Sequence, residues 1–382
     1  MKITGVEMRT IRMPLTSPFE TSFGVEAERV AVLLRVLGSV AGHDQRPVHV
    51  QGWGECVAME APLYSSEYAD GAADVLRRFL VPRLLDHVKN TGDVTAEQID
   101  TLLAPIIGHR MAKAALEMAV LDAQLRGSGQ SFAGYFGATR QRVPSGVSVG
   151  IQPSVAALLE VVGDYLAQGY VRIKLKIKPG WDVTPVEAVR AHFGELIPLQ
   201  VDANAAYTLA DARTLARLDA FDLLLIEQPL AEDDIRQHAE LARLIRTPIC
   251  LDESVVSVRA AADVIALRAA QVINIKAGRV GGYLNARRIH DLCQANGIPV
   301  WCGGMVETGL GRAANAALAA LPGFTLPGDV SASDRFYEQD ITAPFVLEDG
   351  EIAVPTGPGL GVEPIMDVLD SFTVSTEWLE QV

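Results

Sequence analysis

Six short, mostly apolar segments recur through the middle of this chain at a nearly constant interval. Their last residues lie 24 to 26 positions apart and are, in order, Lys176, Asp202, Glu227, Asp252, Lys276 and Cys302. One β-strand, one helix and two short loops need about 25 residues, so each interval holds one βα unit. Repeated βα units close into a (β/α)8 barrel, which carries its active site at the carboxyl ends of the strands. The spacing therefore predicts an α/β fold of the (β/α)8-barrel type with chemistry at these residues.

The first third of the chain follows a different pattern. Apolar and polar residues alternate within the first 60 residues, which indicates antiparallel strands, and a helical period follows from about residue 65 to Gly127. In the barrel we expect a first strand over 142–149 and a short eighth strand near 324–326. We expect three parts. Residues 1–127 form an N-terminal α+β capping domain with a mobile loop near 18–24, and residues 128–350 form a (β/α)7–8 barrel catalytic domain. Residues 351–382 form a C-terminal segment that returns to the capping domain.

The composition is that of an ordinary globular protein with an acidic balance. A formal net charge of −14 over 382 residues argues against nucleic acid or an anionic membrane surface as the main partner. No apolar run reaches the ~18 residues of a membrane helix. The start of the chain lacks the apolar core of a signal peptide, and the four cysteines form no CxxC pair. We expect a cytoplasmic homo-oligomer that acts on a small molecule, with no nucleic-acid or membrane partner.

Three acidic residues, Asp202, Glu227 and Asp252, end three consecutive predicted strands. Neighbouring parallel strands lie ~5 Å apart, so these side chains can converge, and like charges so close would raise the pKa values of the carboxyl groups or require a cation. Oxygen ligands on rigid strands suit Mg²⁺ best, with Mn²⁺ as a substitute, and no histidine ends a barrel strand to favour zinc. Each acid alone could simply cap the following loop, but three at one structural level predict a metal site.

Three lysines flank these acids. Lys174 and Lys176 alternate on the second strand and point into the barrel, and Lys276 ends the sixth strand across the mouth. The lysines could serve only to balance the three acids. Alternatively, two of them act as acid and base on opposite sides of a metal-bound substrate. An amine acts as a base when neighbouring positive charge and burial lower its pKa, as Lys174 beside Lys176 would do.

The order Lys174-x-Lys176, Asp202, Glu227, Asp252, Lys276 resembles the muconate-lactonising-enzyme subgroup of the enolase superfamily, and the resemblance covers the whole chain. Several stretches are closer still to the N-succinylamino acid racemase / o-succinylbenzoate synthase group. They are residues 53–59, 202–204, 274–282, 302–309 and 327–335. Arg279 and the Gly-Gly-Met stretch at 303–305 are the features that indicate this group.

The resemblance assigns roles to individual residues. It implies that Asp202, Glu227 and Asp252 bind Mg²⁺, that Lys176 and Lys276 do the proton chemistry, and that Lys174 tunes Lys176. Arg279 would favour the neutral form of Lys276. Phe19 and Phe23 would lie on a mobile loop that closes over the substrate. The expected substrate-lining residues are Ser148, Asn204, Asn274, Gly304, Met305 and Val306.

We therefore predict a Mg²⁺-dependent enzyme that removes the proton α to a carboxylate through an enolate. By the resemblance it is an o-succinylbenzoate synthase, a lyase of menaquinone biosynthesis, and/or an N-succinylamino acid racemase, an isomerase. Its substrate would be a small carboxylate with a succinyl-type arm.

Three alternatives remain open at this point. One is a dipeptide epimerase or cycloisomerase of the same subgroup. Another is a serine hydrolase that uses Ser148 in the G-x-S-x-G stretch at 146–150, although two valines flank this serine within a predicted strand. A non-enzymatic metal-binding relative is the third, but it would have no need of paired lysines.

Overall fold

The capping domain begins with an antiparallel sheet. In the computed structural model, which describes residues 1–22, 24–41 and 46–380, three long strands follow one another and pair in chain order. They are β1 (Lys2–Glu20), β2 (Val25–Ala41) and β3 (Pro47–Cys56). Side chains alternate between buried and exposed along β1, as expected of a sheet with one face on the core.

Five α-helices complete the described part of this domain: α1 (Ala69–Val75), α2 (Val81–Thr91), α3 (Ala96–Leu103), α4 (Arg110–Ser128) and α5 (Phe132–Phe136). A π-helix, Leu76–Leu80, joins α1 to α2. Helix α4 is buried along most of its length and lies against β3. The contact is so close that a Cβ on Gly54 would lie 2.0 Å from the carbonyl oxygen of Ala115. Trp53 also donates its backbone N–H to Asp122 of α4, at 2.8 Å. The helix is thereby fixed against the sheet.

Seven parallel strands form the barrel wall, and their order in the sheet follows the chain. Strand β4 (Arg142–Pro144) comes before them and belongs to another sheet. The barrel strands are β5 (Gly146–Val149), β6 (Arg172–Lys176), β7 (Leu199–Asp202), β8 (Ile226–Glu227), β9 (Ile249–Leu251), β10 (Val272–Ile275) and β11 (Val300–Cys302). The barrel-type fold with its cap is confirmed. The predicted first strand, 142–149, is interrupted at Ser145, which bonds Gly350 and Val330 instead.

The eighth position of the wall is not a regular strand. Phe324 forms a single parallel bridge to Val300 of β11, and Gly328 forms one to Ser145. The predicted strand near 324–326 is therefore wrong as a strand, although the segment does lie between β11 and the start of the barrel. Pro327 has no N–H to donate, and a Cβ at Gly328 would lie 2.7 Å from the carbonyl oxygen of Cys302. The local sequence thus limits pairing to isolated bridges.

Helices alternate with the strands around the barrel. They are α6 (Val155–Gln168), α7 (Val183–Phe193), α8 (Ala212–Leu215), α9 (Ile235–Leu241), α10 (Val258–Leu267), α11 (Tyr283–Ala295) and α12 (Gly309–Ala319). Several begin at a side-chain cap, for example Ser154 before α6 and Ser257 before α10. At the start of α12, the buried carboxylate of Glu55 accepts hydrogen bonds from Thr308 and Gly311, which ties β3 to the barrel.

The C-terminal part contacts both the barrel and the cap. Its elements are β12 (Leu347–Glu348), β13 (Glu351–Ala353), α13 (Met366–Phe372) and β14 (Thr373–Glu380). Strand β13 pairs with β4, while β14 pairs with β1 and becomes the edge of the cap sheet. Across the described residues, no helix combines the length and apolar character required to span a bilayer.

Candidate active site

Two adjoining cavities lie where the carboxyl ends of the barrel strands face the cap. Their volumes are about 550 and 470 Å³. Five residues line both of them: Phe19, Lys176, Lys276, Gly304 and Val306. Lys176 ends β6, and Lys276 directly follows β10; three strands separate β6 from β10 in the wall. The two ammonium groups therefore reach the same space from opposite sides of the barrel.

Each of the three strand-end carboxylates is bonded to a lysine. The Nζ of Lys176 lies 2.6 Å from Oδ2 of Asp202, and the Nζ of Lys276 lies 2.8 Å from Oδ2 of Asp252. Lys174 donates to Oε2 of Glu227 at 3.0 Å. Pairing places Lys176 opposite Asp202 and Asp202 opposite Glu227, so backbone register sets this arrangement.

Burial and charge act in opposite directions on these groups. Burial alone would raise the pKa of Asp202, but the ammonium groups of Lys176 and Lys174 bring it below its ordinary value. Burial and the Asp202 carboxylate raise the pKa of Glu227. Burial would lower the pKa of Lys276, but interactions with surrounding groups, Tyr64 and Glu253 first, raise it. The lysines thus compensate part of the negative charge of the buried carboxylates.

Asp329 completes the network from the eighth position of the barrel. It accepts hydrogen bonds from Lys174 at 2.6 Å and from Arg172 at 2.8 Å, and these two cations hold its pKa far below the ordinary value. Our reading of the sequence gave Asp329 no role. A signal was present, because Asp329 follows Cys302 by 27 residues and so continues the strand-end interval. The same carboxylates raise the pKa of Lys174 against the effect of burial.

Asp252 is surrounded by two cations and a phenol. Besides Lys276, it is paired with the guanidinium of Arg279, and the hydroxyl of Tyr64 lies 3.3 Å from both carboxylate oxygens. Arg279 also donates to the carbonyl oxygens of Val255 and Asn274 and is buried. Tyr64 comes from the cap and was not predicted. The Lys276 ammonium lies 4.5 Å from the centre of its ring.

Asn204 connects Lys176 to a second acid. Its Oδ1 accepts from Lys176 at 2.6 Å, and its Nδ2 donates to Oε1 of Glu253 at 2.8 Å. Burial and the Asp202 carboxylate raise the pKa of Glu253 to about 7. Asn204 has a φ of +42°, a conformation that Asn tolerates better than most residues. This turn directs the amide at the lysine, and Asn204 lines the larger cavity.

The other expected substrate-lining residues fall into two groups. Gly304, Met305 and Val306 line the cavities, as does Phe19, whereas Phe23 lies outside the described residues. Asn274 is fully buried and does not line either cavity. It donates to Oε1 of Glu227 at 2.7 Å and so orients that carboxylate from behind.

Ser148 lines the smaller cavity but lacks the surroundings of a nucleophile. It lies within the regular strand β5, and its hydroxyl is 3.4 Å from Oδ2 of Asp329. None of the hydrogen bonds described for it involves a histidine. A serine hydrolase needs both a sharp turn at the nucleophile and an adjacent base. The geometry therefore does not support the hydrolase alternative.

Asp202, Glu227 and Asp252 also fit a divalent cation. As the side chains stand, no three Asp, Glu, His or Cys groups of the described residues converge closely enough to coordinate one ion, because each carboxylate is engaged with lysine. The donor chemistry nevertheless matches: three buried carboxylates at three successive strand ends, without nitrogen or sulfur ligands. These residues would hold a hard cation such as Mg²⁺ or Mn²⁺.

A capped barrel with acids and paired lysines at its mouth is the arrangement expected of enolase-type enzymes. Residues 3–137 match the mandelate racemase / muconate lactonizing enzyme N-terminal domain, and residues 157–368 match the enolase C-terminal domain-like family. The chain belongs to the mandelate racemase / muconate lactonizing enzyme family of the enolase superfamily. Enzymes of this family depend on a divalent metal. The family resemblance inferred from the sequence is confirmed.

Individual relatives narrow the comparison. An N-succinylamino acid racemase from Amycolatopsis sp is 63% identical over 379 residues, covering 99% of this chain and 100% of that protein. An o-succinylbenzoate synthase from Geobacillus kaustophilus is 46% identical, covering 95% and 94%. The crystal structure of an enolase-superfamily member from Listeria innocua matches with a TM-score of 0.91 at 38% identity, covering 100% and 99%. The relatives are thus an isomerase and a lyase, which confirms the predicted class of enzyme.

Proposed function

We propose that this protein racemises N-succinylamino acids, with o-succinylbenzoate synthesis as a second activity of the same site. The observation that carries the proposal is the placement of Lys176 and Lys276 on opposite sides of one cavity. Each is bonded to a strand-end carboxylate, Lys176 to Asp202 and Lys276 to Asp252. Racemisation requires a proton donor and a proton acceptor on opposite faces of one carbon, and two lysines so placed supply both.

Each lysine has a defined task in this reaction. For one enantiomer the Nζ of Lys176 takes the α-proton and the Nζ of Lys276 returns one to the other face; for the other enantiomer the roles exchange. In the synthase reaction, Lys176 would remove the proton and assist loss of the hydroxyl, while Lys276 stays charged and stabilises the anion. Lys174 is held by Glu227 and Asp329, so it sets the charge around Lys176 without reacting.

The acidic side chains supply the second requirement, stabilisation of negative charge. We propose Mg²⁺ as the cation that Asp202, Glu227 and Asp252 hold, with Mn²⁺ as a substitute; a divalent cation there supplies positive charge next to the substrate carboxylate as its α-proton leaves. Asn274 fixes the orientation of Glu227, and Arg279 and Tyr64 fix that of Asp252.

Exclusion of water is the task of the cap. Phe19 lines both cavities and packs edge-to-face against Phe336 of the barrel, with ring centres 6.3 Å apart. We propose that this aromatic contact holds the segment around Phe19 over bound substrate, which strengthens electrostatic interactions inside. The two cavities leave room for two substituents on the α-carbon, the acyl arm and the amino-acid side chain.

The decisive experiment follows the α-hydrogen. Purified protein with MgCl₂ and N-succinyl-L-phenylalanine in D₂O should exchange the α-hydrogen and produce both enantiomers, as monitored by NMR and chiral chromatography. Parallel assays with the o-succinylbenzoate precursor, L-Ala-D-Glu and muconate separate the racemase and synthase from the epimerase and cycloisomerase alternatives. Turnover of the dipeptide or muconate, without exchange of the succinylamino acid, would refute the proposal.

A further inference from the structure

Arg335 is a buried cation to which the reaction described above assigns no task. It is 9% exposed and lines the smaller cavity together with Lys174, Lys176 and Lys276. Among the described residues, its guanidinium forms no salt bridge with a carboxylate. Its Nη2 donates to the carbonyl oxygen of Ser148 at 2.9 Å, and its Nε is buried without a hydrogen-bond partner. Burying a charge in this way is costly unless a partner compensates it.

Aromatic rings hold the guanidinium in place. Its central carbon lies 4.7 Å from the ring centre of Phe336, 5.1 Å from that of Tyr165 and 5.6 Å from that of Phe19. Such contacts favour a cation and orient its plane, but they do not neutralise its charge. Phe19 belongs to the segment proposed to close over the substrate, so closure and the environment of Arg335 are physically linked.

The nearby acid is already neutralised by other groups. Asp329 is the one carboxylate that lines the smaller cavity in the described structure, and it is bonded to Lys174 and Arg172. The lining thus contains four cations and one occupied carboxylate. Lys174, Lys176 and Lys276 are each bonded to a carboxylate, so Arg335 is the cation of this lining that has no carboxylate partner among the described residues. The Arg335 end of the cavity therefore selects a negatively charged group.

We propose that Arg335 binds the terminal carboxylate of the substrate's N-acyl arm and so selects a dicarboxylic acyl group over a neutral one. The inference rests on the proposed function and adds the residue that recognises the arm. The planar guanidinium offers two parallel N–H groups to a carboxylate, and the surrounding rings exclude the water that would screen the pair. Ser148, whose carbonyl oxygen holds Nη2, positions the guanidinium.

The test compares three N-acyl derivatives of L-phenylalanine: the succinyl compound, its terminal methyl ester, and the acetyl compound. The methyl ester keeps the length of the succinyl chain, adds one methyl group at its end and removes its charge. Wild-type enzyme should prefer the succinyl compound over the ester by about 100-fold in kcat/KM, measured as α-hydrogen exchange in D₂O. Equal use of the two by wild type would overturn the inference without any mutant being needed.

Two substitutions assign the preference to Arg335. In Arg335→Met the ratio of kcat/KM for the succinyl compound to that for its ester should fall to within a few-fold of one. The main cause should be a higher KM for the succinyl compound. Arg335→Lys keeps the charge but loses the two parallel N–H groups of the guanidinium, so it should give an intermediate ratio. Arg190→Met is the matched control, because Arg190 is also buried but bonds only backbone carbonyls away from the cavities, so it should leave the ratio unchanged.

The remaining outcomes are also decisive. If Arg335→Met lowered kcat/KM for all three compounds in the same proportion, Arg335 would have a structural role and the inference would be wrong. If wild type exchanged none of the three, the proposed function would fail and this inference with it. Retained exchange without discrimination refutes only the role of Arg335, which keeps the two failures distinguishable.

Discussion

Lys276 and Arg279 bind the same carboxylate from different sides: the Lys276 ammonium lies 2.8 Å from Oδ2 of Asp252, and the Arg279 guanidinium is paired with Oδ1. Both also reach the hydroxyl of Tyr64, at 3.2 Å each. Arg279 therefore takes a share of the negative charge that would otherwise act on Lys276 alone. Arg279 can therefore influence the protonation of Lys276 through the carboxylate of Asp252, which both residues bind.

Arg279→Gln should harm racemisation more than o-succinylbenzoate synthesis. Without the guanidinium, Asp252 binds the Lys276 ammonium more firmly, and racemisation needs Lys276 as a neutral base in one direction, whereas synthesis needs it only as a cation. We expect racemisation to fall about 10-fold further than synthesis, and exchange through Lys276 to slow more than exchange through Lys176. Arg279→Lys, which keeps the charge, should lie closer to wild type. Equal losses of both activities would contradict this tuning role.

Removal of either lysine should leave the enzyme able to transfer protons on only one face of the α-carbon. Lys176→Ala and Lys276→Ala should each reduce racemisation by at least ~10³-fold, because one face of the α-carbon loses its proton-transfer group. Each variant should still exchange the α-hydrogen of one enantiomer in D₂O, and the two variants should differ in which one. Lys2→Ala, a change at an exposed lysine at the start of β1, is the control. Racemisation at the wild-type rate by both active-site variants would show the assignment to be wrong.

Chelation of metal should abolish activity. EDTA is expected to stop exchange, and Mg²⁺ or Mn²⁺ to restore it. Asp202→Asn, Glu227→Gln and Asp252→Asn should each lower kcat by at least ~10³-fold, since each removes an oxygen charge from the proposed cation site. Asp252→Asn should also lower Tm the most, because it leaves both Lys276 and Arg279 without their carboxylate.

The exposed Asp263→Asn on α10 serves as the control for these changes and should retain activity and Tm. Full activity after exhaustive dialysis against EDTA, with metal content verified by elemental analysis, would refute the metal requirement.

Glu117 predicts a pH dependence of stability outside the active site. It accepts a hydrogen bond from the Leu284 backbone N–H at 3.2 Å, at the start of α11, and burial raises its pKa to about 8 from an ordinary value of 4.5. Between those values the folded protein keeps a proton that the unfolded chain has lost, so stability falls as the pH rises, by up to about 1.4 kcal/mol per pH unit.

Glu117→Gln should remove this contribution. The slope of unfolding free energy between pH 5 and 8, measured by urea denaturation, should become shallower than in wild type, while the exposed Glu187→Gln should leave it unchanged. Identical slopes for wild type and Glu117→Gln would show that the carboxyl group is ionised in the fold over this range.

The barrel could be predicted from the sequence because its signal is repetitive. Lys176, Asp202 and Glu227 are the last residues of their strands, and Asp252 and Lys276 follow theirs by one position. A constant interval predicts both strand ends and convergence, since parallel strands bring equivalent ends to one edge. The irregular eighth position of the barrel could not be predicted from the interval alone. Pro327 and the close backbone contact at Gly328 prevent a regular strand there, although the strand-end interval continues at Asp329.

The contacts within the site were less accessible to sequence reasoning. The alternation of side chains along β10 predicts that Asn274 points into the barrel, but it does not predict how far from the cavities the side chain lies. In the structure Asn274 lies behind Glu227 and does not line either cavity. Tyr64 reaches Asp252 across 188 positions of sequence, from a segment with no periodic pattern. Contacts between the cap and the barrel depend on the relative orientation of the two domains, which the spacing of residues within one segment does not predict.

The position of Tyr64 has a consequence for how such enzymes diversify. Part of the electrostatic environment of the proposed base Lys276 is supplied by the cap, while the lysine and Asp252 come from the barrel. A chimera that joins the cap of one relative to the barrel of another would therefore exchange reactivity together with substrate preference. Selection on the cap for a new side chain would alter the proton-transfer step as well, which ties the evolution of specificity to that of rate.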